Sequence, residues 1–106
     1  MDMLEAARLA RSHVGGKSWE QFDADVACQD AVIRRLEIIG EASRRVSQQT
    51  QTLLATVPWR LMVGLRNMVI HQYDDVDLLV VWDTVQDDLP ALILTLEAAL
   101  GAEDTT

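Results

Sequence analysis

The stretch "LLVVWDTVQDDLPALILTLEAA" (Leu78–Ala99) decides the fold class, because its apolar residues follow a regular spacing. They recur at alternating intervals of four and three positions, at Leu78, Trp82, Val85, Leu89, Leu92, Leu96 and Ala99. This heptad pattern predicts a long helix that packs nearly antiparallel to its neighbours in a bundle. Asp77 is the expected N-cap. Pro90 is expected to kink or split the helix, because proline has no N–H to donate.

Three further helices are predicted upstream, and no segment has the alternating pattern of a strand. They cover about residues 2–14, 23–49 and 57–70, and a polar linker over residues 48–52 is expected before the third of them. Ser18 and Gln21 have the spacing of a capping box, which indicates a short helical turn before the second long helix. The sequence therefore predicts an all-α fold, an antiparallel bundle of four helices, or five with the short one. We expect a single domain over residues 1–106, with about 101–106 as a flexible tail.

The charge of the chain, −8 in total, is divided unevenly. Residues 1–66 hold all nine Lys and Arg against eight acidic residues, whereas residues 67–106 hold nine acidic residues and no basic one. This balance excludes a general nucleic-acid binder, so no DNA partner is expected. A local phosphate site stays open, because eight of the nine cations are Arg. The acidic last third fits a solvated face better than a docking surface for a basic partner.

The cysteine content and the hydropathy of the chain limit its compartment and its metal chemistry. Cys28 is the single cysteine, so no internal disulfide can form, and we interpret it as a small buried hydrophobe. The absence of a leader or a long apolar run predicts a reducing, cytoplasmic location and no membrane partner. No Cys/His spacing resembles a zinc site, so neither a metal nor a cofactor is predicted.

The stretch "LRNMVIHQYDD" (Leu65–Asp75) gathers Arg66, Asn67, His71 and Tyr73. A His can take and give a proton at neutral pH, and an Arg stabilises negative charge on phosphate. Together they suffice for RNA cleavage without a metal, in which the ribose 2′-OH attacks its own phosphate. Each chain offers one His here, so a symmetric dimer would supply two. The structural alternative, in which Arg and His cap helix carbonyls, is favoured by the residue types alone.

Arg66 stands out because its helical neighbours Trp59, Val63 and Ile70 are apolar. A guanidinium on such a strip needs a partner. The partner is a carboxylate such as Glu41 or Asp77, the phosphate of a ligand, or a group across a dimer interface. One stripe of this helix is polar and holds Arg60, Gly64, Asn67 and His71, where Gly64 leaves room for something to approach, and the core is predicted opposite it. The predicted core stripe consists of Leu61, Met62, Leu65, Met68 and Val69.

The R-N-x-x-x-H-x-Y arrangement from Arg66 to Tyr73 resembles the R-x4-H-x-Y motif of the HepT-like toxins in the HEPN superfamily. Other blocks of the chain are similar to those of the family and follow the same order. They are "GKSWEQFDAD" (Gly16–Asp25), "AVIRRLEIIGEASRRV" (Ala31–Val46), "VPWRLMVGLRN" (Val57–Asn67) and "VWDTVQDDLPAL" (Val81–Leu92). The resemblance covers nearly the whole chain.

The resemblance implies a HEPN-like bundle that dimerises and cleaves RNA, such as tRNA or mRNA, in a cleft between the two chains. It implies that Arg66 and His71 are catalytic and that Asn67 and Tyr73 position the substrate. It also implies a partner, an MntA-like nucleotidyltransferase antitoxin, which silences the toxin by transferring AMP from ATP to Tyr73. The bulky phosphodiester would occupy the cationic site and block the substrate phosphate.

Asp74 and Asp75 depart from the family pattern, which often has an aromatic residue after the motif Tyr. Two carboxylates beside a phosphate site are expected to weaken the binding of an anionic substrate and to favour the protonated form of His71. An alternative function therefore stays open. The chain is then a catalytically weak or inactive helical partner of a nucleotidyltransferase.

Overall fold

The computed structural model describes residues 2–64 and 77–104, and it has no strand within these ranges. The α-helices are α1 (Asp2–Val14), α2 (Trp19–Asp23), α3 (Val26–Arg44), α4 (Gln48–Leu53), α5 (helical over residues 59–64), α6 (Leu78–Asp83) and α7 (Leu89–Asp104). A π-helical segment, Thr84–Asp88, joins α6 directly to α7. The prediction of an all-α fold is confirmed.

The first and third helices run antiparallel, as two contacts at their opposite ends show. Near the start of α1, the Sδ of Met3 lies 3.8 Å from the Oγ of Ser43 close to the end of α3. Near the end of α1, the carbonyl of His13 accepts from the Sγ of Cys28, 3.3 Å away at the start of α3. The pairing of helices with opposite direction is the arrangement expected of a short-loop bundle.

The C-terminal run, which consists of α6, the π-helical segment and α7, is also antiparallel to α1. The guanidinium of Arg8 pairs with the carboxylate of Glu97 at 3.0 Å, and that of Arg11 donates to the carbonyl of Val85 at 3.3 Å. As the residue number rises along α1, the number of the contacted residue falls along the C-terminal run, as antiparallel packing requires. Of the heptad residues predicted to face the bundle, Val85, Leu89, Leu92 and Leu96 are fully buried, and Leu78 and Trp82 pack against the core.

The π-helical segment is how the long C-terminal run accommodates Pro90. The N–H of Leu89 donates to the carbonyl of Thr84, five residues back, which is the spacing of a π turn. In that register residue 90 would donate to Val85, which a proline cannot do. Arg11 donates to that carbonyl instead. The predicted disturbance at Pro90 therefore takes the form of a π segment, and helix continues on both sides.

Short helices and caps define the connections between the long ones. The capping box predicted at Ser18 is present: the N–H of Gln21 donates to Ser18 Oγ at 3.2 Å, and the N–H of Ser18 donates to Gln21 Oε1 at 2.9 Å. It opens α2, a separate helix. The second long helix begins only at Val26, where Asp25 accepts from the N–H of Cys28 at 3.0 Å.

The predicted linker over residues 48–52 is wrong, because this segment belongs to α4. Ser47 starts the helix by accepting the N–H of Thr50 at 3.1 Å. No residue of α4 is buried, so the segment has no apolar stripe from which a helix could have been predicted. The second long helix accordingly ends at Arg44, five residues before the predicted end at 49.

A single apolar core lies between α1, α3 and the C-terminal run. Phe22 of α2 joins it and is fully buried, with its ring centroid 5.5 Å from that of Trp82. The predicted core stripe of α5 is half right in its described part: Met62 is fully buried, but Leu61 is 39% exposed. The side chains of adjacent helical residues point about 100° apart around the helix axis, so only one of the two can point directly into the core.

Two further features are the position at which the last helix ends and the hydropathy of the described helices. Helix α7 continues through Asp104, into the segment where a flexible tail was expected. None of the helices in the described ranges has both the length and the apolar character required to span a bilayer.

Candidate active site

The predicted catalytic stretch falls between two described parts of the chain. Arg66, Asn67, His71 and Tyr73 all lie outside the described residues, as do Asp74 and Asp75. Their roles stay predictions. The structure describes both flanks of the stretch, namely α4 and α5 before it and the start of α6 after it.

The flank before the stretch is held in place by the indole of Trp59. Its Nε1–H is shared between two carbonyls at the C-terminal end of α4, those of Gln51 at 3.1 Å and Leu54 at 3.0 Å. The side chain of Met62, three residues further along, is fully buried. One hydrogen-bond anchor and one apolar anchor thus fix the direction in which α5 enters the candidate site.

A pocket of about 310 Å³ opens between α4 and α5. Its lining residues are Gln51, Trp59, Arg60, Val63 and Gly64. Among the described residues no atom lies within 4 Å of the position that a Cβ would take at Gly64, so they leave this wall of the pocket open. The two described members of the predicted polar stripe, Arg60 and Gly64, therefore border one cavity.

The flank after the stretch is fixed by a helix cap. The Oδ1 of Asp77 accepts the N–H of Leu79 at 3.0 Å and that of Val80 at 3.4 Å. This confirms Asp77 as the N-cap of α6. Its carboxylate satisfies backbone donors in the described structure. Its other predicted role, as a partner of Arg66, involves a residue outside the described ranges.

The charged stripe of α3 forms ion pairs along its own surface. Arg34 lies 3.4 Å from Glu37, and Arg45 lies 3.7 Å from Glu41. Both pairs join residues three or four positions apart in one helical stretch, which is the usual spacing of intrahelical ion pairs. The predicted pair between Glu41 and Arg66 involves a residue outside the described ranges.

Cys28 is not a nucleophile in this structure. The side chain is buried, and its thiol donates to the carbonyl of His13. Burial raises the pKa of the Cys28 thiol, with Asp25 adding to the effect and Lys17 opposing it. The protonated thiol is therefore the stable form near neutral pH, and the interpretation of Cys28 as a small buried hydrophobe is confirmed.

Sequence reasoning missed three residues of the pocket, Gln51, Trp59 and Val63. Gln51 lies in the stretch that was interpreted as a linker, and Trp59 was treated only as an apolar neighbour of Arg66. An aromatic residue next to an Arg, and five positions before a Gly, was the available signal.

Comparisons with known proteins identify the family. The family profile described as "Ribonuclease HepT-like" matches residues 3–99. The chain belongs to the HepT-like family. The match spans all the helical blocks described above and the stretch from Arg66 to Tyr73, and it confirms the resemblance inferred from the sequence.

Individual relatives agree with this assignment. A protein of Thermococcus cleftensis described as a probable ribonuclease HepT is 42% identical over 91 residues, 86% of this chain and 83% of the relative. A candidate RNase of Methanocaldococcus jannaschii is 38% identical over 91 residues, 86% of this chain and 84% of the relative. One from Caldanaerobacter subterraneus is 32% identical over 101 residues, 95% and 90% of the two chains. No solved structure matches this HepT-like chain significantly.

Proposed function

We propose that this HepT-like chain is the toxin of a HepT/MntA-type toxin–antitoxin system. It acts as a metal-independent endoribonuclease, a single HEPN-like domain that works as a homodimer. The observation that carries the proposal is the family match over residues 3–99, which includes the arrangement of Arg66, His71 and Tyr73. The relatives described as ribonucleases support RNA as the substrate class.

The proposed reaction is an attack of a ribose 2′-OH on the adjacent phosphorus. One imidazole takes the proton of the 2′-OH, the bond from phosphorus to the 5′-oxygen breaks, and a second imidazole protonates that oxygen. The products are a 2′,3′-cyclic phosphate and a 5′-OH end. The two imidazoles are those of His71 from the two chains of the dimer. Arg66 stabilises the charge that develops on the phosphate, and Asn67 and Tyr73 orient it.

The described charges are compatible with RNA binding at this end of the molecule. The basic residues of the chain all lie in residues 1–66, which include the helices leading into the motif. The acidic excess lies in residues 67–106, where all nine acidic residues come after Tyr73. Residues 48–64, which hold α4 and the described part of α5, contain Arg60 and no acidic residue, so we expect an RNA strand to approach from their side.

Control of the toxin is proposed to act at Tyr73. A nucleotidyltransferase antitoxin transfers AMP from ATP to its hydroxyl and releases pyrophosphate, which leaves a phosphodiester on Tyr73 that competes with the RNA phosphate for Arg66. Intact mass after co-expression with a neighbouring nucleotidyltransferase tests this step. The expected result is a gain of one or more AMP units, absent from a Tyr73→Phe variant.

A second candidate function rests on Asp74 and Asp75. These carboxylates repel an anionic substrate, and in this alternative the chain serves the nucleotidyltransferase as a helical partner with little activity of its own. Replacing both by Asn separates the two functions. A gain in RNA cleavage would show an active site that the carboxylates restrain.

The decisive experiment compares the wild-type chain with His71→Ala in RNA cleavage. The wild type is expected to cleave RNA in EDTA and to elute as a dimer. The variant should fold and dimerise but lose cleavage and growth inhibition. Cleavage that persists in a folded His71→Ala dimer would contradict the catalytic assignment, and cleavage that needs a divalent cation would contradict metal independence.

A further inference from the structure

The pocket between α4 and α5 holds a ring and a cation that the proposed chemistry does not use. We propose that it binds one nucleotide of the RNA outside the scissile bond, with the base against the indole of Trp59 and a phosphate on Arg60. This inference rests on the proposed function, because it assigns a subsite for the same substrate.

The indole of Trp59 packs partly against the core, and the part that lines the pocket offers a ligand an aromatic surface. Its one polar atom, Nε1, already donates to the carbonyls of Gln51 and Leu54, so no donor is left for a ligand. The same bonds fix the orientation of the ring. A fixed aromatic surface loses little conformational freedom when a base stacks on it, and every base has a flat face to offer.

The guanidinium of Arg60 is available to an anion. Its side chain is exposed and makes no ion pair with the described acidic residues. Three other arginines of the described chain are paired with carboxylates, namely Arg8, Arg34 and Arg45. A cation next to an aromatic ring matches a nucleotide, which carries its phosphate beside its base.

The size and the position of the pocket also suit a single nucleotide. A volume of about 310 Å³ lies at the small end of ligand sites, enough for one base. The wall at Gly64 is open. Gly64 stands two residues before Arg66 in the chain, so the pocket adjoins the proposed catalytic segment. A strand that crosses the cleft can therefore place a neighbouring nucleotide here.

The test measures binding of a 2′-O-methyl oligoribonucleotide, which lacks the attacking hydroxyl and cannot be cleaved. Fluorescence anisotropy at several salt concentrations gives both the affinity and its salt dependence. Arg60→Gln should lower the slope of log affinity against log salt by about 0.7, the value for one phosphate contact on a single strand. Gly64→Leu should fill the pocket and weaken binding by roughly five-fold or more, the loss expected from one unstacked base.

Matched controls separate the pocket from general effects. Arg34→Gln removes one exposed guanidinium from α3, so it changes net charge equally, and it should bind within about two-fold of the wild type if α3 lies off the strand. If Gly64→Leu fails to fold, two measurements still test the subsite: the salt dependence of binding by Arg60→Gln and the quenching of Trp59 fluorescence by the oligomer. The quenching that disappears in a Trp59→Phe variant is the part that comes from Trp59.

The outcomes distinguish this subsite from the proposed function. If the wild type cleaves RNA while Arg60→Gln and Gly64→Leu both bind like the wild type, the subsite is wrong and the proposed function stands. If the wild type neither binds nor cleaves RNA, both are wrong. Free AMP that binds the pocket more tightly than the oligomer would assign the site to a mononucleotide and overturn the assignment to RNA.

Discussion

The antiparallel core of α1, α3 and the C-terminal run differs sharply from the unit formed by α4 and α5. The core is continuous, and its largest side chains are fully buried. Helix α4 buries no residue, and it is joined to α5 through two backbone carbonyls and one indole N–H. Most of the buried apolar side chains thus lie in one region, whereas the candidate binding surface lies in another, which is fixed by the hydrogen bonds of Trp59 and the buried side chain of Met62. Loosely packed segments of this kind often carry function.

The largest expected effect is on the free energy of unfolding, and it compares one leucine-to-alanine substitution in each region. Leu36 in α3 is fully buried, whereas Leu53 in α4 is 75% exposed. Leu36→Ala should lower the free energy of unfolding by roughly 2–5 kcal/mol, because it leaves a cavity in the core. Leu53→Ala should change it by no more than about 0.5 kcal/mol. Urea unfolding at one fixed protein concentration measures both, and equal losses would refute the contrast between the two regions.

Much of the core followed from the sequence because burial there is periodic. The heptad of the C-terminal run predicted Val85, Leu89, Leu92 and Leu96 as buried, and all four are. The capping box at Ser18 was equally direct, because it depends on two side chains three residues apart. Patterns of this kind state both the element and the face that it buries.

The region of α4 and α5 could not be predicted in the same way. Helix α4 has no apolar stripe, and its start depends on the hydroxyl of Ser47. The pocket joins Gln51 to Trp59, eight residues away, through a contact that no periodicity encodes. The motif from Arg66 to Tyr73 was identified by residue type and resemblance, since its chemistry is carried by the side chains themselves.

The π segment at Pro90 offers a second, smaller test, within the core. Arg11→Met removes the donor to the carbonyl of Val85 and should lower the free energy of unfolding by about 1 kcal/mol, the usual value of one hydrogen bond. In a Pro90→Ala background a backbone N–H can serve that carbonyl, so the loss should shrink. A double-mutant cycle measures the difference.

A control for this cycle is the exposed pair of Arg8 and Glu97 on the same helices. Arg8→Met should have the same small effect with or without Pro90, because a surface ion pair contributes at most about 1 kcal/mol and does not involve the π segment. If Arg11→Met and Arg8→Met respond alike to Pro90→Ala, the link between Arg11 and the missing N–H of Pro90 is wrong.

Substitution of Gly64 tests whether the absence of a side chain at this wall of the pocket lowers the free energy of unfolding. Gly64→Ala should raise the free energy of unfolding by up to about 1 kcal/mol, because alanine favours a helix over glycine and the added methyl meets no atom within 4 Å. Thermal unfolding monitored by circular dichroism measures the gain. Gly15→Ala is the opposite control: its φ of +54° strains any other residue, so this variant should be destabilised. A loss of stability at Gly64 would mean that its surroundings are already filled.

The smallest expected effect comes from Asp88, where the core meets the acidic surface. Partial burial, Asp87 and Asp83 together raise the pKa of this carboxyl above its usual value of 3.8. A raised pKa means that the fold prefers the protonated form. The contribution of Asp88 is therefore most favourable below pH 3.8 and is lost as the pH rises through the folded pKa.

Asp88→Asn should then stabilise the protein at pH 7 by about a few tenths of a kcal/mol and have no such effect at pH 3. Asp30→Asn, at an exposed position of α3, serves as the control, and urea unfolding at the two pH values compares them. A gain for Asp88→Asn that is as large at pH 3 as at pH 7 would mean that packing of the amide, and not relief of a buried charge, is its cause.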